Sequence, residues 1–200
     1  PSNYTLALAK TLEAAKNKVN LPIVWNSSGY ETVANLKKLD GLVDVYLPDF
    51  KYSDDDLAWE YSHAKGYEDV AIKAIAEMRR QQPVDVFDGD DMMKKGIIVR
   101  HLVLPNAIEN TRGVLKDIAS IDKDMIVSLM GQYFPTPAVE THPVLFRRIT
   151  QEEYDEATDA FFDEGLTNGF SQELDSATEE YVPDFDLQAL QAILARNENK

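Results

Sequence analysis

Ile97-Ile98-Val99-Arg100-His101-Leu102-Val103-Leu104-Pro105 is a short apolar run with a cation at its centre, closed by a proline and followed by Asn106. Apolar residues occupy both parities, so the strand it predicts is covered on both faces, as in a parallel sheet clothed by helices. Arg100 shares its side of that strand with Ile98, Leu102 and Leu104, and so carries a charge towards an interior. A structural salt bridge would account for one such arginine. Three other strand candidates also end in polar residues, and the four ends together point to a site. His101 has the opposite parity and is expected to face the outer helices as a hydrogen-bonded core residue.

Working outward, residues 4–19 have the amphipathic pattern of a helix, with Leu8, Leu12 and Ala15 on one stripe and Asn3 as its N-cap. Residues 21–25 predict a strand ending in Asn26-Ser27-Ser28-Gly29-Tyr30, followed by a short helix over 31–39. Residues 43–47 predict a second strand, which runs into Pro48-Asp49-Phe50-Lys51. Ser53 can cap the next helix, and Asp54-Asp55-Asp56 suit its positive end better than they suit a metal, because adjacent helical carboxylates diverge. A further helix covers 67–82 and stops at Pro83.

Residues 84–87 and 92–96 flank the turn Asp88-Gly89-Asp90-Asp91 and read as a hairpin, or an excursion, ahead of the central strand. That turn lacks the further oxygen ligands and terminal Glu of a calcium loop. Downstream, Asn110 can cap a helix through Leu115 and Ile118, and residues 125–130 form a fourth strand ending in Gly131-Gln132-Tyr133-Phe134-Pro135. Thr150-Gln151-Glu152-Glu153 is a capping box for a helix through Phe162 to Gly165. Residues 170–174 predict one more strand, 181–185 a tail that packs back, and 187–195 a terminal helix.

The alternation of helix and strand predicts an α/β fold: a partial (β/α) barrel of parallel strands joined by right-handed crossovers. Residues 1–200 read as one domain, with βα units to about 135 and a C-terminal extension over 136–200. The net charge of −15 argues against nucleic acid or an anionic membrane as partner. No apolar run approaches the roughly eighteen residues of a membrane span. The absence of cysteine excludes disulfides and thiolate metal sites within the chain, and the cytoplasm is the expected compartment. The start, Pro1-Ser2-Asn3-Tyr4, reads as that of an excised piece.

In parallel α/β sheets, ligands sit at the carboxyl ends of the strands. Here those ends offer Asn26-Ser27-Ser28, then Asp49 and Lys51, then Arg100, then Gln132-Tyr133. Asp49 and Lys51 continue the parity of Val43, Val45 and Leu47. If that face is interior, both charges stand at a barrel mouth beside Arg100, where they would suit a zwitterionic or hydroxyl-rich ligand. His63, His101 and His142 do not compose a site by spacing. No phosphate loop, Gly-x-Ser-x-Gly elbow or His-Glu-x-x-His run is present.

The chain resembles radical S-adenosylmethionine proteins of the pyruvate-formate-lyase-activating-enzyme-like group. The matching pieces are Trp25-Asn26-Ser27-Ser28-Gly29-Tyr30, Leu47-Pro48-Asp49-Phe50-Lys51-Tyr52 and the central strand with its proline. Ser128-Leu129-Met130-Gly131-Gln132-Tyr133 and Gly169-Phe170-Ser171-Gln172-Glu173-Leu174 match as well, so the likeness extends over nearly the whole chain. It implies the C-terminal half of a (β/α)6 barrel, with three strands, the Cys-x3-Cys-x2-Cys motif of a [4Fe–4S] cluster and the Gly-Gly-Glu motif all missing. It also implies that Asn26 and Ser27 lie near the methionine and ribose of S-adenosylmethionine. Asp49 and Lys51 would contact that cofactor or a nearby cation, Arg100 and Leu102 would lie close to it, and Gln132 and Tyr133 would close the site on the substrate side.

The implied reaction of the intact protein is reductive cleavage of S-adenosylmethionine, then hydrogen abstraction from a glycine of a glycyl-radical enzyme or from another substrate, with an external electron donor. The chain alone would be inactive. Two other readings are a binding module for a small zwitterion or nucleoside, and a (β/α) lyase using Asp49 and a Schiff base on Lys51. A missing half would expose a strand edge near Trp25, so self-association is expected.

Overall fold

The computed structural model describes residues 2–16, 18–136, 139 and 142–171. Its strands are β1 (Val24–Ser27), β2 (Val45–Pro48), β3 (Val86–Phe87), β4 (Met93–Leu102), β5 (Ile126–Met130) and β6 (Gly169–Ser171). Its α-helices are α1 (Thr5–Ala15), α2 (Val33–Leu36), α3 (Asp55–Ser62), α4 (Tyr67–Gln81), α5 (Ile108–Ile121) and α6 (Gln151–Asp163). Strands β1, β2, β4, β5 and β6 lie side by side in that order, and every neighbouring pair is parallel. The short β3 pairs antiparallel with the start of β4. The sheet does not close: among the described residues, β1 pairs only with β2 and β6 only with β5. The protein is therefore α/β, with an open, partial barrel.

Parity explains which side the helices cover. Ile97, Val99, His101 and Val103 are fully buried, whereas Ile98, Arg100, Leu102 and Leu104 are half-buried. The first set meets helices: the Tyr46 hydroxyl on the same side of β2 donates to Gln81 of α4, and His101 bonds Thr111 of α5. Removing an Ile or Val side chain from water on that side contributes about 1.5–3 kcal/mol. An arginine there would cost several kcal/mol unless fully paired. The charge accordingly stands on the open face.

Several expectations hold. The hairpin ahead of the central strand is β3 with the first residues of β4, which makes β4 longer than the quoted run. Asp54, Asp55 and Asp56 serve the N-terminus of α3, and Thr150 with Glu153 forms the capping box of α6. Others are corrected. Asn3 does not cap α1; it lies within a 3-10 turn, Ser2–Tyr4, and so lacks the flanking position of a cap. The first strand is Val24–Ser27 and includes Asn26 and Ser27, because Pro22 cannot donate to a ladder and the Ile23 N–H is taken by the Asp44 carboxylate.

Asp54, rather than Ser53, caps α3, its Oδ1 accepting from the N–H groups of Asp56 and Leu57. Asn110 lies inside α5 instead of capping it. Its Oδ1 accepts from the Ser53 N–H and its amide donates to the Lys51 carbonyl, which ties α5 to the segment after β2. The expected tail at 181–185, the helix at 187–195 and the last three residues of the 170–174 strand lie outside the described residues. No helix among the described residues is long and apolar enough to cross a membrane.

Candidate functional site

The carboxyl ends of β1, β2 and β4 bring four polar side chains together. A bridge between Asp49 and Arg100 extends the β2–β4 register past Pro48, so both residues project from the same level of the open face. The Arg100 guanidinium lies 2.6 Å from the Asp49 carboxylate and donates, also at 2.6 Å, to Oδ1 of Asn26. Lys51 Nζ stands 3.7 Å from the other Asp49 oxygen. Arg100 and Asp49 are mostly shielded from water, so their pairing exceeds the small worth of an exposed ion pair. Arg100 Nε is buried and makes no hydrogen bond. Two cations and one carboxylate leave the cluster at +1.

One buried phenol fastens the loops that carry this cluster. The Tyr67 hydroxyl, at the start of α4, accepts from the Lys51 N–H at 3.0 Å and stands 3.1 Å from the Ser28 carbonyl and 3.3 Å from that of Asp49. With one proton it donates to one of these carbonyls at a time. Burial raises its pKa, so it stays a neutral donor. The Tyr30 ring stacks on it with centroids 5.6 Å apart. Gly29 permits the close approach: its φ is +73°, and a Cβ there would fall 2.1 Å from the Asp49 carbonyl oxygen. Sequence reasoning placed Tyr67 at a helix start and missed this role, because no spacing rule says where its hydroxyl goes.

The remaining sequence candidates divide. Leu102 is on the open face and packs against a second hydrophobic cluster containing Val103, Leu129 and Tyr133. Gln132 continues the parity of Met130, and its amide contacts the Met130 sulfur at 3.6 Å. Ser27 is turned away from Asn26 and buried; its hydroxyl oxygen accepts from the Gly29 N–H. Tyr133 is also turned away, its hydroxyl donating to the Leu145 carbonyl. Two residues not singled out stand in the charged row, since the register aligns Arg100 with Ser128 and Ser128 with Phe170.

His101 is the expected core histidine. A carbonyl only accepts, so Nδ1 donates to Phe50 O at 2.8 Å and Nε2 accepts from the Thr111 hydroxyl at 3.0 Å. Burial lowers its pKa to about 4. Lys51 is 42% exposed beside a carboxylate, an environment without the apolar burial that activates a Schiff-base lysine. Among the described residues no three His, Asp or Glu side chains group as metal ligands, and the chain has no cysteine. Nothing here would ligate an iron–sulfur cluster.

Fold and site thus define an open, parallel α/β barrel with a polar cluster at its strand ends. The same fold occurs in a domain of pyruvate-formate lyase-activating enzyme from Bacteroides vulgatus, with a TM-score of 0.61 and 13% sequence identity over 86% of this chain and 94% of that one. No protein-family model matches the chain. An uncharacterized protein of Methanocaldococcus jannaschii, MJ0674, is 32% identical over 158 residues, which are 78% of this chain. The chain spans 42% of the length of that relative.

Proposed function

We propose that this chain is part of a radical S-adenosylmethionine enzyme resembling pyruvate formate-lyase activating enzyme, and that its strand ends help to hold S-adenosylmethionine. The observation that carries this reading is the convergence of Asn26, Asp49, Lys51 and Arg100 where barrel enzymes bind their ligands. The ligand offers an α-carboxylate, an α-ammonium and a sulfonium. Lys51 and the unspent Nε of Arg100 suit the carboxylate; Asp49 and the Asn26 carbonyl suit the cations.

When bound, S-adenosylmethionine supplies the radical-generating chemistry; these side chains bind and orient it. An iron–sulfur cluster does not fit the residues of this chain, so no step is drawn through one here. We read residues 1–200 as one unit in which α6 and β6 continue the βα alternation beyond 136. The chain alone is inactive. The intact protein is cytoplasmic and acts on a glycyl-radical enzyme or another substrate, with an external electron donor.

Titrating S-adenosylmethionine into the isotope-labelled chain tests the binding. Saturable NMR shifts are expected at Asn26, Asp49, Lys51 and Arg100, with affinity about tenfold lower in Arg100→Met. No shift at these residues up to millimolar ligand would overturn it.

A further inference from the structure

At the amino ends of the strands, opposite the polar cluster, stand two apolar surfaces of unlike charge. The first is the hairpin made by β3 and the start of β4. Val84 and Met92 are 63% and 62% exposed there, and Val86 and Phe87 are exposed beside them. The turn is tightly bonded. Asp88 Oδ1 accepts from the Asp90 and Met92 N–H groups, the Asp88 N–H donates to the Met92 carbonyl, and Lys94 Nζ lies 2.7 Å from the other Asp88 oxygen. At the base, Asp85 accepts from Arg79 and from the Ile97 N–H. A rigid protrusion that keeps four large apolar side chains in water marks an interaction surface.

The second surface is a groove between the end of α1 and the segments that lead into β1 and β2. Its cavity of about 500 Å³ is lined by Leu12, Val19, Leu21, Ile23 and Leu42, with Lys16 among them. Leu21 is 75% exposed. That volume is of the order that receives a buried ligand, and it is ample for one aromatic and one thioether side chain. The groove also contains Asp44, whose carboxylate already accepts from the Ile23 N–H.

The charges of the two surfaces are complementary. Residues 84–92 carry four aspartates and no cation, whereas residues 10–23 carry three lysines and one glutamate in a chain of net charge −15. Asp90, Asp91 and Lys16 are exposed, and their side-chain charges have no partner among the described residues. An apolar, anionic knob fits an apolar, cationic groove. The bonds at its base hold the hairpin away from its own chain's groove, and a second copy offers the same groove free.

We infer that two copies of this chain associate at their amino-end faces, each seating Phe87 and Met92 in the other's groove with Asp90 and Asp91 against Lys16. Knob and groove share one end of the molecule, so a single two-fold axis satisfies both at once. The carboxyl ends of both sheets then face outward. None of these residues belongs to the strand-end cluster or to β1. The contact is therefore independent of the ligand reading and distinct from any pairing at the β1 edge.

Carbodiimide treatment of a mixture of unlabelled and nitrogen-15-labelled full-length chains tests the contact. Mixed-isotope cross-links from Lys16 to Asp90 or Asp91 are expected. In sedimentation equilibrium, Lys16→Glu and Asp90→Lys each weaken the dimer about tenfold, and the double reversal restores it. Phe87→Ser weakens it about a hundredfold, because the lost contact occurs twice. Phe87 is already in water, so the amide spectrum away from the hairpin should not change. A monomer at every concentration reached would overturn the inference. So would a dimer that both single reversals leave unchanged, which would place the association elsewhere, the β1 edge included. Weakening by each reversal without rescue in the double variant would overturn it as well.

Discussion

A histidine held neutral between a strand and a helix makes the stability of this protein depend on pH. The folded pKa of His101, about 4, lies below the ordinary value of about 6.5. Between those values the unfolded chain binds a proton that the folded chain refuses, so stability falls as pH drops from about 6.5 to about 4. The loss is on the order of 2 kcal/mol between pH 7.5 and pH 5. Asp117 works in the opposite direction. Burial, then the nearby Glu68, raises its pKa to about 6, so it takes up its proton first in the folded state and adds stability as pH falls below that value. Comparing urea denaturation of the wild type and His101→Gln at both pH values isolates the histidine. The variant, already weakened by the lost contacts, should show a smaller acid loss; equal losses would contradict the account. The placement of His101 was legible from parity, but its partners, Phe50 and Thr111, come from elements far apart in the chain.

Between elements, the contact of the loops after β1 and β2 is the most exacting feature of the fold. Gly29→Ala adds a methyl group against the Asp49 carbonyl at a positive φ, and should cost about 2–3 kcal/mol. Tyr67→Phe removes the acceptor of the Lys51 N–H and the single O–H donor that serves the Ser28 or the Asp49 carbonyl, and should cost about 1–3 kcal/mol. Chemical denaturation measures both. Because the two substitutions disturb one contact, the double variant should lose less than the sum. Hydrogen exchange at the Lys51 amide adds a local check: unchanged protection in Tyr67→Phe would show that the phenol is not its acceptor. Strand and helix identities here were legible from apolar periodicity and from Pro83. Caps were less so: Ser53 and Asn110 have the composition of caps, yet they spend their side chains on each other's segments.

At the scale of the molecule, the open sheet leaves an edge. Strand β1 pairs only with β2 among the described residues, and Val24 is 54% exposed. An edge of this kind is a template for another chain, and near it only Pro22 withholds a donor. We predict a dimer or larger assembly through the β1 edge; a charge of −15 per chain opposes this only modestly at physiological salt, where screening acts over about 8 Å. Sedimentation equilibrium at micromolar concentration should give a mass above 22.6 kDa. The monomer mass across a salt series would contradict the prediction.

The run at Ile97, with apolar residues on both parities and one arginine, was enough by itself to determine a strand of a parallel α/β sheet with Arg100 and His101 on opposite sides. The expected cover on both faces is met by helices on the His101 side, while the Arg100 side is the half-buried open face. The other strand ends, read in the same way, were enough to nominate Asn26, Asp49, Lys51 and Arg100. Periodicity is a local property, and burial selects for it residue by residue. Only the tertiary structure decided that Ser27 and Tyr133 turn away from that face, that Tyr67 fastens two loops, and that Ser128 and Phe170 extend the row beyond Arg100. Those facts depend on strand register and on a helix's position over the sheet. Both are set by contacts between residues tens of positions apart, for which a single sequence carries no local signal.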